Sequence, residues 1–196
     1  ASTGYTRIGI RGTPPALRKD HPDTSIDLSS IAKGYAVDEL AEELEILGVA
    51  NYLVEIGGEL RGKGINGRGA QWRIGIETPS SGNRTVHKVI VIDDVGVATS
   101  GDYRNYFEKD GRRYSHTIDP VTGRPITHKL ASVTVVDPSA MLADAMATAL
   151  MVLGPDRGYA LAEREGLAAC FIVRSAQGFT NRQTTAFSRH HEQQSS

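Results

Sequence analysis

One cysteine, Cys170, is all that the 196-residue chain contains, which excludes an internal disulfide and a cysteine-rich metal site. It lies in an apolar segment and reads as core packing. Long hydrophobic runs are missing too: the longest, Ala145 to Leu153, is broken by Thr148 and falls short of the roughly 20 residues that a bilayer-spanning helix needs. Neither charge sign dominates, with 22 basic against 23 acidic residues and a formal net charge of -1. No like-charge run is long enough for a nucleic-acid or anionic-membrane patch, so any phosphate binding has to be local. There is no Walker loop, zinc-protease helix or serine-hydrolase elbow, and no G-x-G-x-x-G between a strand and a helix. Ala1 to Arg7 carry neither an initiator Met nor a charged-then-apolar signal pattern, which reads as a mature or trimmed product.

What is present, 39% hydrophobic and 23% charged residues, suits one sizeable core. Ile31, Val37, Leu40, Leu44 and Leu47 follow helical spacing, which predicts a helix from Ser29 or Ser30 to Leu47, capped by a serine and closed by Gly48. Ser139 begins a second helix that Gly154-Pro155 stops; a third, Asp156 to Glu165, feeds the apolar strand Leu167 to Val173. Tyr52 to Ile56, Trp72 to Glu77, Lys88 to Ile92, Arg113 to Ile118 and Ser132 to Val136 read as strands between polar or glycine-rich turns. Tyr103 to Glu108 and Arg112 to Ile118 flank an Asp-Gly turn and predict a hairpin that delivers His116 to a strand end. The expected fold class is α+β, a mostly antiparallel sheet packed with a few helices. Residues 1–25 are expected to be an extended entry with a strand hint at Ile8 to Ile10, 26–187 the main domain, and 188–196 a mobile polar tail.

Three constellations could carry chemistry. Asp27-Leu28-Ser29-Ser30-Ile31-Ala32-Lys33-Gly34 is a polar helix start, where free N–H groups and the positive dipole end suit phosphate. Lys33 there runs against the dipole unless an anion is near, and a capped surface helix is the plain alternative. Asp144 and Thr148 lie four residues apart and share a helix face, offering oxygen donors to a hard cation such as magnesium. Alternatively they form a polar stripe in which Thr148 bonds back to the Asp144 carbonyl. His116 ends a strand that runs into a turn fixed by Pro120, Gly123 and Pro125, a place for proton exchange or for a merely structural histidine. His21, His87, His128, His190 and His191 read as structural. Thr99-Ser100-Gly101 at a strand end makes a workable phosphate-side or ribose-side loop, or only a turn with serine and threonine; Gly62, Gly64, Gly67 and Gly69 read as close packing and turns, with Gly57-Gly58 the exception.

In this order, "DLSSIAKGYAVD", Gly57-Gly58-Glu59, Thr99-Ser100-Gly101, "SHTIDPVTGRP" and "ADAMATAL" resemble the ApbE family over nearly all of residues 26 to 175. That family comprises FAD:protein FMN transferases, once named thiamine biosynthesis lipoproteins. The resemblance implies a magnesium site made by Asp144 and Thr148 with a backbone oxygen of Ser30. It also implies FAD contacts at Asp27, Lys33 and Ile118, and a base at His116. The implied reaction moves FMN from FAD to a Thr or Ser hydroxyl of a partner protein and releases AMP. Members of the family carry a longer N-terminal portion, with a Met-Gly-Thr segment, that is not recognisable in Ala1 to Ser25. Ala147 stands where some relatives offer another carboxylate, so one magnesium with more water is expected. The resemblance further implies an acceptor among subunits of membrane redox complexes, no nucleic acid, and a periplasmic location, free or anchored to the inner membrane. An FAD pyrophosphatase and a non-catalytic flavin-binding domain are the other readings.

Overall fold

In the computed structural model, residues 4–79, 85–102, 106–109 and 112–193 are described. A 3-10 turn, Tyr5–Arg7, precedes a hairpin of β1 (Ile8–Arg11) and β2 (Ala16–Lys19), followed by α1 (Ala32–Ile46). Next come β3 (Tyr52–Ile56), β4 (Glu59–Lys63), β5 (Trp72–Glu77), β6 (Val86–Ile92), β7 (Val95–Gly101), β8 (Tyr106–Lys109) and β9 (Arg112–Ser115). Two short strands, β10 (Ile118–Asp119) and β11 (Arg124–Pro125), lead to β12 (Leu130–Asp137), α2 (Ala140–Arg164), β13 (Ala168–Ser175), β14 (Gly178–Gln183) and α3 (Thr185–Gln193).

The central sheet has the order β14-β13-β12-β7-β4-β3, and every neighbouring pair is antiparallel. Strand alternation divides it into two cores. Ala98, Val133, Val135, Ala169 and Phe171 point to the face covered by α2, where Ala143, Ala147, Leu150 and Met151 meet them. Leu60, Val97, Val136, Cys170 and Ile172 point the other way, onto Ile76, Ile90 and Ile92 of the β5–β6 hairpin and Phe187 of α3. On β4 the same alternation sends Leu60 into the second core and turns Glu59, Arg61 and Lys63 toward α1. An α+β fold built on an antiparallel sheet is therefore what forms.

α2 breaks where the sequence places the break. Gly154 takes φ 81, and Pro155 has no N–H to return to the carbonyl of Met151. His128 fills the gap: its Nε2 lies 2.9 Å from Met151 O while its Nδ1 accepts the Leu130 N–H at 3.3 Å, which makes Nε2 the donor. A Cβ at Gly154 would sit 2.7 Å from the His128 ring. His128 is thus structural, as expected.

Several expectations need correction. The first helix begins at Ala32, not at Ser29 or Ser30, and no side chain caps it. Those residues are held instead in a turn, with the Ile31 and Ala32 N–H groups both directed to Leu28 O at 3.0 Å. The single strand expected from Arg113 to Ile118 is two strands, interrupted at His116 and Thr117. The hairpin exists, with Lys109 opposite Arg112, and its Asp110-Gly111 turn lies outside the described residues. The expected polar tail from residue 188 starts inside α3, because Thr184 Oγ1 accepts the Phe187 N–H at 3.3 Å and Phe187 is fully buried. Among the described residues no helix is long and apolar enough to cross a membrane.

Burial of His190 on α3 lowers its pKa, against an opposing hydrogen bond to the Val91 backbone and with a minor contribution from His191. A histidine held below its unfolded value of about 6.5 binds protons more readily in the unfolded chain, so its contribution weakens as pH falls through that value. Urea midpoints measured from pH 7 to 5 are expected to fall less steeply in His190→Gln than in the parent. Identical slopes would remove His190 as the cause.

Candidate functional site

The site is organised by how the start of α2 is seated. A Cβ on Gly34 of α1 would lie 2.3 Å from the Ala140 carbonyl oxygen, and one on Gly96 of β7 would lie 2.5 Å from the Ala140 nitrogen. Only glycine permits either approach, so α2 begins wedged between α1 and β7. Asp38, one turn beyond Gly34, fixes the same joint from α1. Its carboxylate accepts from Ser139 Oγ (2.8 Å), Ala140 N–H (2.9 Å), Met141 N–H (3.0 Å) and Arg61 Nη1 (3.2 Å). Ser139 Oγ in turn accepts the Leu142 N–H at 3.1 Å, the expected N-cap.

This seating brings Asp144 against the first turn of α1. The Gly34 N–H, a first-turn donor with no acceptor inside α1, is given to Asp144 Oδ2 at 3.1 Å. Asp144 Oδ1 accepts no hydrogen bond among the described residues. Asp144 is 3% exposed. Burial pushes its pKa up, against the pull of the Gly34 N–H and of Lys33. Lys33 is ion-paired with Glu59 Oε2, and Glu59 is 2% exposed. Burial raises the Glu59 pKa too; Lys33 opposes this and the Asp144 charge adds to it. Thr148, one turn along α2, meets Ser100 Oγ of β7 at 3.2 Å.

The histidine segment is pinned separately. Ile126 donates its N–H to Thr117 O at 3.1 Å and packs its side chain against the core under α2. Ser115, buried, accepts the Thr117 N–H at 3.1 Å. Asp119 accepts the Val121 N–H on its side chain and the Gly123 N–H on its carbonyl, both at 2.8 Å, closing the loop between β10 and β11. β10 packs on α2. His116 is exposed just past β9, and Ile118 is 48% exposed. Asp27 is exposed beside Ser30; its Oδ1 accepts the Ser29 N–H at 2.8 Å, and hydrogen bonds from Ser29 hold its carboxyl below the usual range.

The sequence-predicted residues therefore divide. Lys33 and Asp144 gather at one place, with Ser30 in the turn just before α1 and Thr148 a turn along α2, while Asp27 and His116 lie in connecting segments and Ile118 on the short strand β10. The oxygens of Asp144, Thr148 and Ser30 suit a hard cation. Among the described residues there is no cluster of three His, Cys, Asp or Glu side chains that would favour another kind of metal centre. Sequence reasoning assigned no role to Glu59, Gly34, Asp38 or Arg61. Only Lys33, a cation misplaced for the helix dipole, signalled that an acidic partner waited elsewhere. Gly34→Ala is expected to lower stability by about 1–3 kcal/mol, because the new methyl meets helix backbone rather than a yielding side chain. Urea denaturation beside a Mn2+ titration should show both stability and cation affinity reduced; an unchanged midpoint would contradict the wedge.

The sequence profile of the ApbE family matches residues 1–171. Over 187 residues the chain is 51% identical to the FAD:protein FMN transferase of Vibrio cholerae serotype O1, spanning 95% of this chain and 55% of that one. Over 181 residues it is 47% identical to that of Escherichia coli K12, spanning 91% and 52%. The apo Pseudomonas stutzeri flavinyl transferase ApbE superposes with a TM-score of 0.86 at 51% identity, covering 97% of this chain and 58% of that one. The Thermotoga maritima ApbE protein gives 0.83 at 32% identity, covering 97% and 60%. The chain spans about half the length of the curated relatives it matches.

Proposed function

The chain belongs to the ApbE family, and from that premise we propose that it transfers FMN from FAD to a Thr or Ser hydroxyl of an acceptor protein. The observation that carries the reading is the approach of the buried Asp144 carboxylate to the Gly34 N–H and to Lys33 at the joint of α1 and α2.

Asp144, Thr148 and the Ser30 carbonyl would hold magnesium, which when bound supplies positive charge to the FAD diphosphate. Lys33 adds a second cation on the same side. Asp27 and Ile118 contact the dinucleotide, and the Thr148–Ser100 pair keeps a hydroxyl at the Asp144 end of α2. His116 takes the proton of the acceptor hydroxyl, whose oxygen forms a bond to the FMN-side phosphorus. The bond from that phosphorus to the bridging oxygen breaks, and AMP leaves with the electron pair. Positioning and charge account for such a reaction, which needs no nucleophile on the enzyme. The acceptor is a subunit of a membrane redox complex, and the protein works on the periplasmic side, free or anchored; these two assignments rest on the family resemblance.

The test is mass spectrometry of a candidate acceptor after incubation with this chain, FAD and magnesium. One added FMN mass on a Thr or Ser is the expected result. AMP and FMN released with the acceptor unlabelled would make the chain a pyrophosphatase, and FAD bound without turnover a flavin-binding domain.

A further inference from the structure

Glu59 is buried almost completely, yet none of the steps above uses it. It stands at the start of β4, after a turn in which Gly57 and Gly58 take φ values of 60 and 102. A Cβ at Gly57 would press on Lys33 Cδ at 3.2 Å, so the turn is wrapped around the Lys33–Glu59 pair. Asp144 lies close enough to add to the charge felt by Glu59, and the residue is 3% exposed, with only its Oδ2 hydrogen-bonded among the described residues.

Counting charges at this place gives two carboxylates and one ammonium, a net of one negative charge. A dinucleotide diphosphate approaching it is repelled. A divalent cation is attracted, and once bound turns the balance to one positive charge, which then draws the diphosphate. Without Glu59 the place would be neutral before the cation arrives, and nothing would forbid the diphosphate from entering first. We propose that Glu59 is a positioning residue that sets this charge, imposing cation-before-dinucleotide order and holding Lys33 back until the diphosphate competes for it. The inference rests on the cation and diphosphate site proposed above.

The experiment measures Mn2+ affinity by the electron paramagnetic resonance of the free ion, and FAD affinity by equilibrium dialysis with and without Mn2+. The parent is expected to bind FAD only when Mn2+ is present. Glu59→Gln, which keeps a hydrogen-bond acceptor for Lys33 but removes the charge, is expected to weaken Mn2+ binding about tenfold or more and to allow metal-free FAD binding. Glu59→Asp should restore the order. Lys33→Gln, which makes the place one unit more negative, should tighten Mn2+ and weaken FAD, and serves if Glu59→Gln does not fold. Glu59→Gln with unchanged Mn2+ affinity and an undiminished metal requirement would overturn the proposal while leaving the site intact. Parent protein that binds FAD equally well without metal would do the same; parent protein that binds neither would remove the site and the proposal together.

Discussion

Replacing His116 by alanine is expected to slow FMN transfer by about 10²- to 10⁴-fold, the usual contribution of a positioned general base, while FAD binding persists and the denaturation midpoint stays put. The expectation follows from where the histidines sit. His128 is committed to the Met151 carbonyl at the helix break, and His190 is half-buried on α3. His116 is exposed just past the end of β9, on a segment whose backbone is held by Ser115 and Ile126. Removing an exposed imidazole opens no cavity, so lost activity with retained stability would separate a proton-transfer role from a structural one. His128→Ala provides the contrast, since it strands a helix carbonyl and loses stability. Full labelling of the acceptor by the His116 variant would exclude it as the base.

How much of this was written in the local sequence depends on the range of the interactions. β3 and β5 have the bounds that their β-prone runs predicted, α2 starts at the expected serine cap, and its break falls on Gly154-Pro155, because each is decided within a few residues. The four-residue spacing of Asp144 and Thr148 likewise places both along α2, the one toward Gly34 and the other toward Ser100. Misreadings arose where a distant element supplies the hydrogen bond. The first turn of α1 looks like an ordinary serine-capped start, but its Gly34 donor is claimed by a carboxylate 110 residues away. α3 looks like a solvated tail, and a single buried phenylalanine turns it into a docked helix. Lys33 was noticed for the right reason, an unfavourable charge at a helix start, and half of the answer proved to be Glu59 on the neighbouring strand.

Asp38 carries the largest expected stability effect: Asp38→Ala should cost about 3–5 kcal/mol, in the range for removing one partner of a buried, hydrogen-bonded charge pair. Its carboxylate is the acceptor shared by the opening of α2 and by Arg61, and the residue is 8% exposed. Truncation leaves the Ala140 and Met141 N–H groups without an acceptor at a joint packed too closely to admit a side chain. It also leaves Arg61, whose Nε is already buried without a partner among the described residues, depending on looser contacts with Asp94 and Glu45 at 3.5 and 3.9 Å. Asp38→Asn keeps one acceptor oxygen but faces Arg61 with a donor, so an intermediate loss is expected. Because the same joint hands the Gly34 N–H to Asp144, cation affinity should fall in step with the urea midpoint across the series from parent through asparagine to alanine. A loss below 1 kcal/mol in the alanine variant, or cation affinity that ignores the series, would mean that the glycine contacts alone hold α2 in place.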